Sequence, residues 1–148
     1  MSDCIIKLIH EDPFYVAEVH SLEQVVSVLE DCISCESVSL ICEDTPFFID
    51  CGENLESITC PCCGSDIDFG WWGDAMDKAS ERAFSSLDVV MPCCGNNTSL
   101  NDLKYYYDCG FSSWAIEIMN PENDIPDDQI RSVQEITGCR IRTIVAHI

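Results

Sequence analysis

Residues 114–148 read WAIEIMNPENDIPDDQIRSVQEITGCRIRTIVAHI, and the fold class turns on this stretch. Trp114, Ile116 and Ile118 alternate with Ala115, Glu117 and Met119, the period of two that predicts a β-strand. Asn120-Pro121-Glu122-Asn123-Asp124 is turn material. Pro126 then suits the first turn of a helix, where its missing N–H costs nothing. Asp127 and Asp128 follow where the helix dipole favours negative charge. Ile130, Val133 and Ile136 share one face, and Gly138 stands where a left-handed glycine ends a helix. Arg140 to Ile148 predicts a closing strand. The stretch is strand, helix, strand.

The same alternation opens the chain. Cys4 to Ile9 predicts a strand that stops near Asp12-Pro13. Ser21 and Gln24 have the spacing of a capping box. Leu22, Val25, Val26, Leu29 and Ile33 then form a helical stripe, so a helix is expected over residues 22–33. Val38 to Cys42 and Thr45 to Asp50 predict two short strands, with Pro46 confining the second to a sheet edge. Between the halves, Asp74 is expected to cap a helix running to Phe84, with Ala75, Met76, Ala79 and Ala83 on one side. Leu87 to Met91 predicts a buried strand. The sum is a single α+β domain over residues 1–148, with a mixed or mostly antiparallel sheet and about three helices.

One internal echo stands out in the middle. Cys60-Pro61-Cys62-Cys63-Gly64 and Met91-Pro92-Cys93-Cys94-Gly95 are the same pentapeptide, with Met for Cys at the first position of the second copy. The first copy contains the zinc-knuckle pattern C-P-x-C-G. Two residues between cysteines let both sulfurs face one ion, and the glycine permits the positive φ that turns backbone N–H groups toward them. Two such loops make a zinc ribbon, so a ribbon-like hairpin module is expected over residues 58–98. Met91 cannot supply a thiolate. Cys94 matches Cys63 in place, and the fourth ligand is most simply Cys93, with Cys62, Cys109, Cys51 and His10 as substitutes. One structural Zn2+ on Cys60, Cys63, Cys93 and Cys94 is the expectation. A redox pair is the competing chemistry, but Gly64-Ser65-Asp66 leads toward a strand and not into the helix such a motif would open.

The other cysteines have plainer readings. Cys4, Cys32, Cys42 and Cys139 lie in or beside predicted apolar faces, where a free thiol packs as a small hydrophobe. Cys32 and Cys35 are spaced like ligands, but no glycine follows them. His10, His20 and His147 are scattered and read as surface or strand-end imidazoles. Trp71-Trp72 and Tyr105-Tyr106-Tyr107 are either core packing or a partner surface.

From Pro92 through Thr98-Ser99-Leu100-Asn101-Asp102-Leu103-Lys104-Tyr105, the chain resembles an uncharacterised family of bacterial cytosolic proteins. That family carries a CPxCG knuckle, a PCCGxxTSLNDLxY stretch, an Asn-Pro matching Asn120-Pro121, and an ending close to His147-Ile148. The resemblance covers about residues 58–148 and departs at Tyr106 to Cys109, where the family has a Trp-Pro-Ala-like segment. It implies a zinc-binding fold and a purposeful pair of adjacent cysteines, and it implies no activity.

Composition narrows the role. Of 148 residues, 47% are apolar, enough for a core, while 7 basic against 27 acidic residues leave a net charge of −20. So acidic a chain is a poor binder of phosphate backbones or anionic membrane surfaces. Residues 1–60 carry 13 acidic groups against Lys7 alone. Twelve cysteines without a basic, apolar leader at the start point to the cytoplasm, where clustered thiols mean metal or redox chemistry. No phosphate loop, nucleophile elbow or helical His-Glu pair is present, so no enzyme is expected. The expectation is a non-catalytic module that binds a basic protein, in its sharpest form an inhibitor or immunity protein against a toxin or nuclease. A zinc-ribbon regulatory or adaptor protein is the first alternative, and a thiol-redox or metal-dependent enzyme the second. The expected contact residues are Glu11, Asp12, Glu43, Asp44, Asp50, Glu53 and Glu56, with Trp71 or Trp72 as the apolar anchor.

Overall fold

The structure, a computed structural model, describes residues 3–147. Strand β1 (Cys4–His10), helix α1 (Val19–Cys32) and strand β2 (Ser37–Ile49) come first. Short elements follow: β3 (Ser57–Thr59), α2 (Phe69–Ser80), β4 (Asp88–Val90), β5 (Asn97–Ser99) and β6 (Lys104–Tyr106). Then come β7 (Gly110–Met119), α3 (Asp127–Thr137) and β8 (Ile141–His147). The four long strands form one sheet in the order β2-β7-β1-β8, with every pairing antiparallel. With α1 and α3 as crossovers this is a split β-α-β sheet, interrupted between its second and third strands by the cysteine-bearing segment. In that segment β3 pairs with β6, and β4 with β5. The class is α+β.

Period-two alternation sends the two sides of each strand to different cores. Ile6 and Leu8 of β1 and Trp114, Ile116 and Ile118 of β7 meet Leu22, Val25 and Leu29 of α1 and Val133 of α3. Leu22 and Leu29 are wholly buried, each contributing about 1.5–3 kcal/mol over an exposed side chain. On the other side Ile9, Phe111, Ala115 and Ile144 pack with Ile58, Cys60, Leu87, Met91, Leu100 and Tyr105 of the inserted segment.

The pairing of β7 with β1 ends at Ile116, while β2 follows β7 down to Gly110. Beyond that point the β2–β7 pair curls back across the sheet. Lys7 donates to the backbone and side-chain oxygens of Asp50, each at 3.0 Å. Arg142 donates to the Asp108 carboxylate at 2.9 Å and to the Cys109 carbonyl at 2.5 Å. A Cβ at Gly110 would meet Arg142 Nη1 at 2.8 Å and Ile9 Cδ1 at 3.1 Å, so Arg142 and Ile9 pack directly over the start of β7.

Three boundaries differ from expectation. Helix α1 starts at Val19, with Glu18 at its cap and no side-chain cap bond. The Leu22 N–H already bonds the Glu18 carbonyl at 3.2 Å, which places Ser21 inside the first turn and leaves no capping box. Helix α2 starts at Phe69, ahead of Asp74. The side chain of Asp68 accepts from the Trp71 N–H, and Trp72 is drawn against Phe48, Phe69 and Tyr105. It ends at Ser80, since Ala83 and Phe84 take positive φ of 53° and 54°. The two short strands expected at 38–50 are one, β2, with a register shift between Cys42 and Phe47 that swallows the loop-like Glu43-Asp44-Thr45-Pro46. Helix α3 agrees with most of its sequence signals: Asp127 and Asp128 fill its first turn and Gly138 ends it at φ 72°, while Pro126 stands just before the first turn, at the N-cap. Ile148, at the end of the expected closing strand, lies outside the described residues.

Candidate metal centre

The echo in sequence is an echo in structure. In the first knuckle Gly64 N–H bonds the Cys60 carbonyl at 3.0 Å, and Cys60 N–H bonds Ser65 at 2.8 Å. In the second, Gly95 N–H bonds Met91 at 2.9 Å, and Met91 N–H bonds Asn96 at 2.9 Å. Gly64 and Gly95 turn their loops at φ 79° and 73°. Each knuckle tips an antiparallel pairing: Thr59 bridges Asp66 around the first, and Val90 pairs Asn97 around the second. The two tips face each other.

There the thiols of Cys60, Cys63, Cys93 and Cys94 lie within 4.8 Å of one another, close enough to bind one metal ion. Cys60 and Cys94 sulfurs are 3.9 Å apart, and those of Cys63 and Cys93 are 3.3 Å apart. A tetrahedron of sulfurs about 2.3 Å from an ion has edges of about 3.8 Å, and these two contacts fall on either side of that length. The first position of each knuckle points into the core: Cys60 and Met91 are each 1% exposed. Met91 therefore keeps the packing role without the sulfur ligand, and the second knuckle brings the adjacent pair Cys93-Cys94 to the cluster in its place. Cys62 is outside the set, although its N–H reaches the Cys60 sulfur at 3.4 Å.

Two polar residues that sequence reasoning missed support the sulfurs. Ser65 Oγ contacts the Cys63 sulfur at 3.3 Å, and Asn96 Nδ2 donates to the Cys94 sulfur at 3.3 Å. Each directly follows its knuckle glycine, a positional signal available in the sequence. The hydroxyl and backbone N–H of Ser65 pull the Cys63 thiol down to about 6. Cys93, facing Cys63, is pushed up to about 12. Burial raises Cys60, but backbone N–H groups of Cys63 and Cys62 outweigh it, so the net direction is down. Four crowded thiols cannot all ionise alone, and a bound cation lets them do so.

The substitutes for the fourth ligand lie elsewhere. Cys51 and Cys109 are wholly buried against each other. His10 stacks on Tyr15 at 4.1 Å and accepts from the Asp12 N–H through Nδ1. Cys32 and Cys35 join no metal-ligand group among the described residues. The expectation that Cys32 and Cys42 pack against apolar faces is wrong: both are exposed, because α1 ends at Cys32 and Cys42 opens the β2 bulge. Glu11, Asp12, Glu43, Asp44, Asp50, Glu53 and Glu56 are all exposed, with Asp50 engaged by Lys7. Trp71 and Trp72 are half-buried against the core, and the Trp72 indole N–H donates to Tyr105 Oη at 3.2 Å. Tyr105 is buried, whereas Tyr106 and Tyr107 are about half exposed.

Comparison with protein-family models, with curated proteins and with solved structures finds no match. Among the described residues no helix is long and apolar enough to cross a membrane.

Proposed function

We propose that the chain is an acidic, non-catalytic protein-binding module built around one structural zinc ion on Cys60, Cys63, Cys93 and Cys94. The observation that carries this reading is the convergence of four thiols within 4.8 Å from two knuckle-tipped loops. Zinc suits an all-sulfur tetrahedron, and four thiolates leave no coordination position for a reacting water. Such an ion orders hairpins and does not activate a nucleophile.

Charge supports the partner half of the reading. Among the described residues, ion pairs involve only Lys7 with Asp50 and Glu117, and Arg142 with Asp108. Among the described residues no other carboxylate has a cation within ion-pair distance, so the field of a −20 chain remains available to steer a basic protein. An inhibitor or immunity protein for a basic toxin or nuclease is the form that uses this field most directly. Regulatory or adaptor use is the alternative, and its partner need not be basic.

The test purifies tagged protein at low ionic strength without added metal. About one zinc per chain and a stoichiometric basic protein that salt releases are the expected results. A folded, metal-free chain would end the zinc reading. Recovery of nucleic acid, or of a partner indifferent to salt, would end the inhibitor reading.

A further inference from the structure

We propose that Cys51 and Cys109 are a disulfide-forming site that clasps the inserted segment to the sheet, separate from the zinc centre. Both side chains are 0% exposed, and their sulfurs lie 3.3 Å apart although 58 positions separate them. The strand register explains the meeting. Ile49 and Gly110 are the last partners of the β2–β7 ladder, and the two cysteines stand just beyond them. They mark the neck at which the chain leaves the sheet and returns to it.

Metal binding does not explain the pair. Among the described residues no third His, Cys or carboxylate ligand atom joins these two sulfurs in a metal-sized group. Both thiols instead converge on one carbonyl, that of Tyr107, at 3.5 and 3.6 Å. Forming a bond asks the sulfurs to close about 1.2 Å, to the disulfide length of about 2.05 Å. Side-chain rotation supplies a movement of that size. Burial and the neighbouring Cys51 thiol push Cys109 well above the ordinary thiol range. Exchange therefore starts from local opening of the neck, where Glu53, Tyr107 and Asp108 are at the surface.

The oxidant is a small-molecule disulfide of the glutathione class. The thiolate of Cys51 attacks one sulfur of it, the oxidant's S–S bond breaks, and one glutathione thiolate leaves. Cys109, deprotonated in turn, attacks the Cys51 sulfur, forms the Sγ–Sγ bond and expels the second glutathione. Two electrons pass from the cysteines to the oxidant, and the two thiol protons end on the released glutathiones. The product makes the knuckle-bearing insertion a covalently closed loop.

The experiment equilibrates metal-loaded full-length protein across a series of reduced-to-oxidised glutathione ratios, approached from the reduced and the oxidised side. Thiols are then blocked with an alkylating agent, and peptides are mapped by mass. A Cys51–Cys109 linked peptide should appear while exposed Cys32 and Cys42 are still thiols, with the zinc retained. Its effective concentration against glutathione should exceed by about tenfold the millimolar value of a flexible tether. Recovery of both as thiols, or as separate glutathione adducts, where Cys32 and Cys42 already carry glutathione would overturn the proposal. So would a link from either one to Cys60 or Cys63. Zinc content is read in the same samples, so failure of the clasp is distinguishable from failure of the metal centre.

Discussion

At the scale of single residues, the four-thiol cluster separates cysteines that look alike in sequence. Cys62 and Cys63 are neighbours, yet only Cys63 belongs to the four-sulfur group. Cys63→Ser should abolish stoichiometric zinc and loosen both knuckles, because ligation supplies much of the ordering free energy of small hairpins. Cys62→Ser should keep about one zinc and near-native stability. Metal analysis with thermal melts separates the two, and equal losses would mean that the ligand set is misassigned. The cluster was legible because knuckle chemistry is local: a Cys-Gly turn shows its spacing and its glycine within five residues. Met91 made the second copy look defective, and only its burial in the core shows why methionine serves there. The Cys51 and Cys109 contact had no such local signature. It exists only through the register of β2 with β7, which pairs residues far apart in the chain.

Among elements, legibility again follows whether the deciding interaction is local. The ends of α3 were readable because Pro126, Asp127 and Gly138 act on their own backbone. Helix α2 was misplaced because Gly70 and Gly73 beside two tryptophans spoil the helical pattern, and contacts with Phe48 and Tyr105 restore it only in three dimensions. Asp68→Ala should therefore destabilise the protein by about 1 kcal/mol through loss of the cap. Asp74→Ala, inside the helix, should change stability by less than about 0.5 kcal/mol. Urea denaturation of the two variants checks this, and the reverse ranking would restore Asp74 as the start of the helix. The curl of β2 and β7 over the sheet has an acid sensitivity of its own. Burial raises the Asp50 carboxyl, but the hydrogen bond and charge of Lys7 outweigh it and hold the group below its ordinary value of 3.8. A carboxyl lowered by folding stabilises the native state above its unfolded value, and this contribution fades as pH falls through the folded one. Asp50→Asn should thus weaken the protein at pH 7 and make little difference near pH 2. A stability gap between variant and parent that stays constant over that range would show that the Lys7 pair does not secure the curl.

For the whole molecule, the question is whether the acidic charge acts on a partner or only on solubility. Trp71 and Trp72 are half-buried against the core, and exposed apolar side chains also stand near the acid. Beside Glu11 and Asp12 stand Phe14 and Val16, 50% and 80% exposed, in the loop that joins β1 to α1. Electrostatic steering and apolar anchoring make different kinetic demands on the proposed complex with a basic protein. Association should slow steeply between about 0.05 and 0.5 M salt, as the Debye length shrinks from about 14 Å to about 4 Å. Glu43→Lys with Asp44→Lys, both in the exposed β2 bulge, should cut the on-rate more than it raises the off-rate. Phe14→Ala should do the opposite, speeding dissociation with little effect on encounter. Stopped-flow and surface-binding kinetics on the three proteins give both rates. If the on-rate ignores salt and charge reversal alike, the acid serves solubility alone, and the proposed inhibitor loses the physical basis for choosing a basic target.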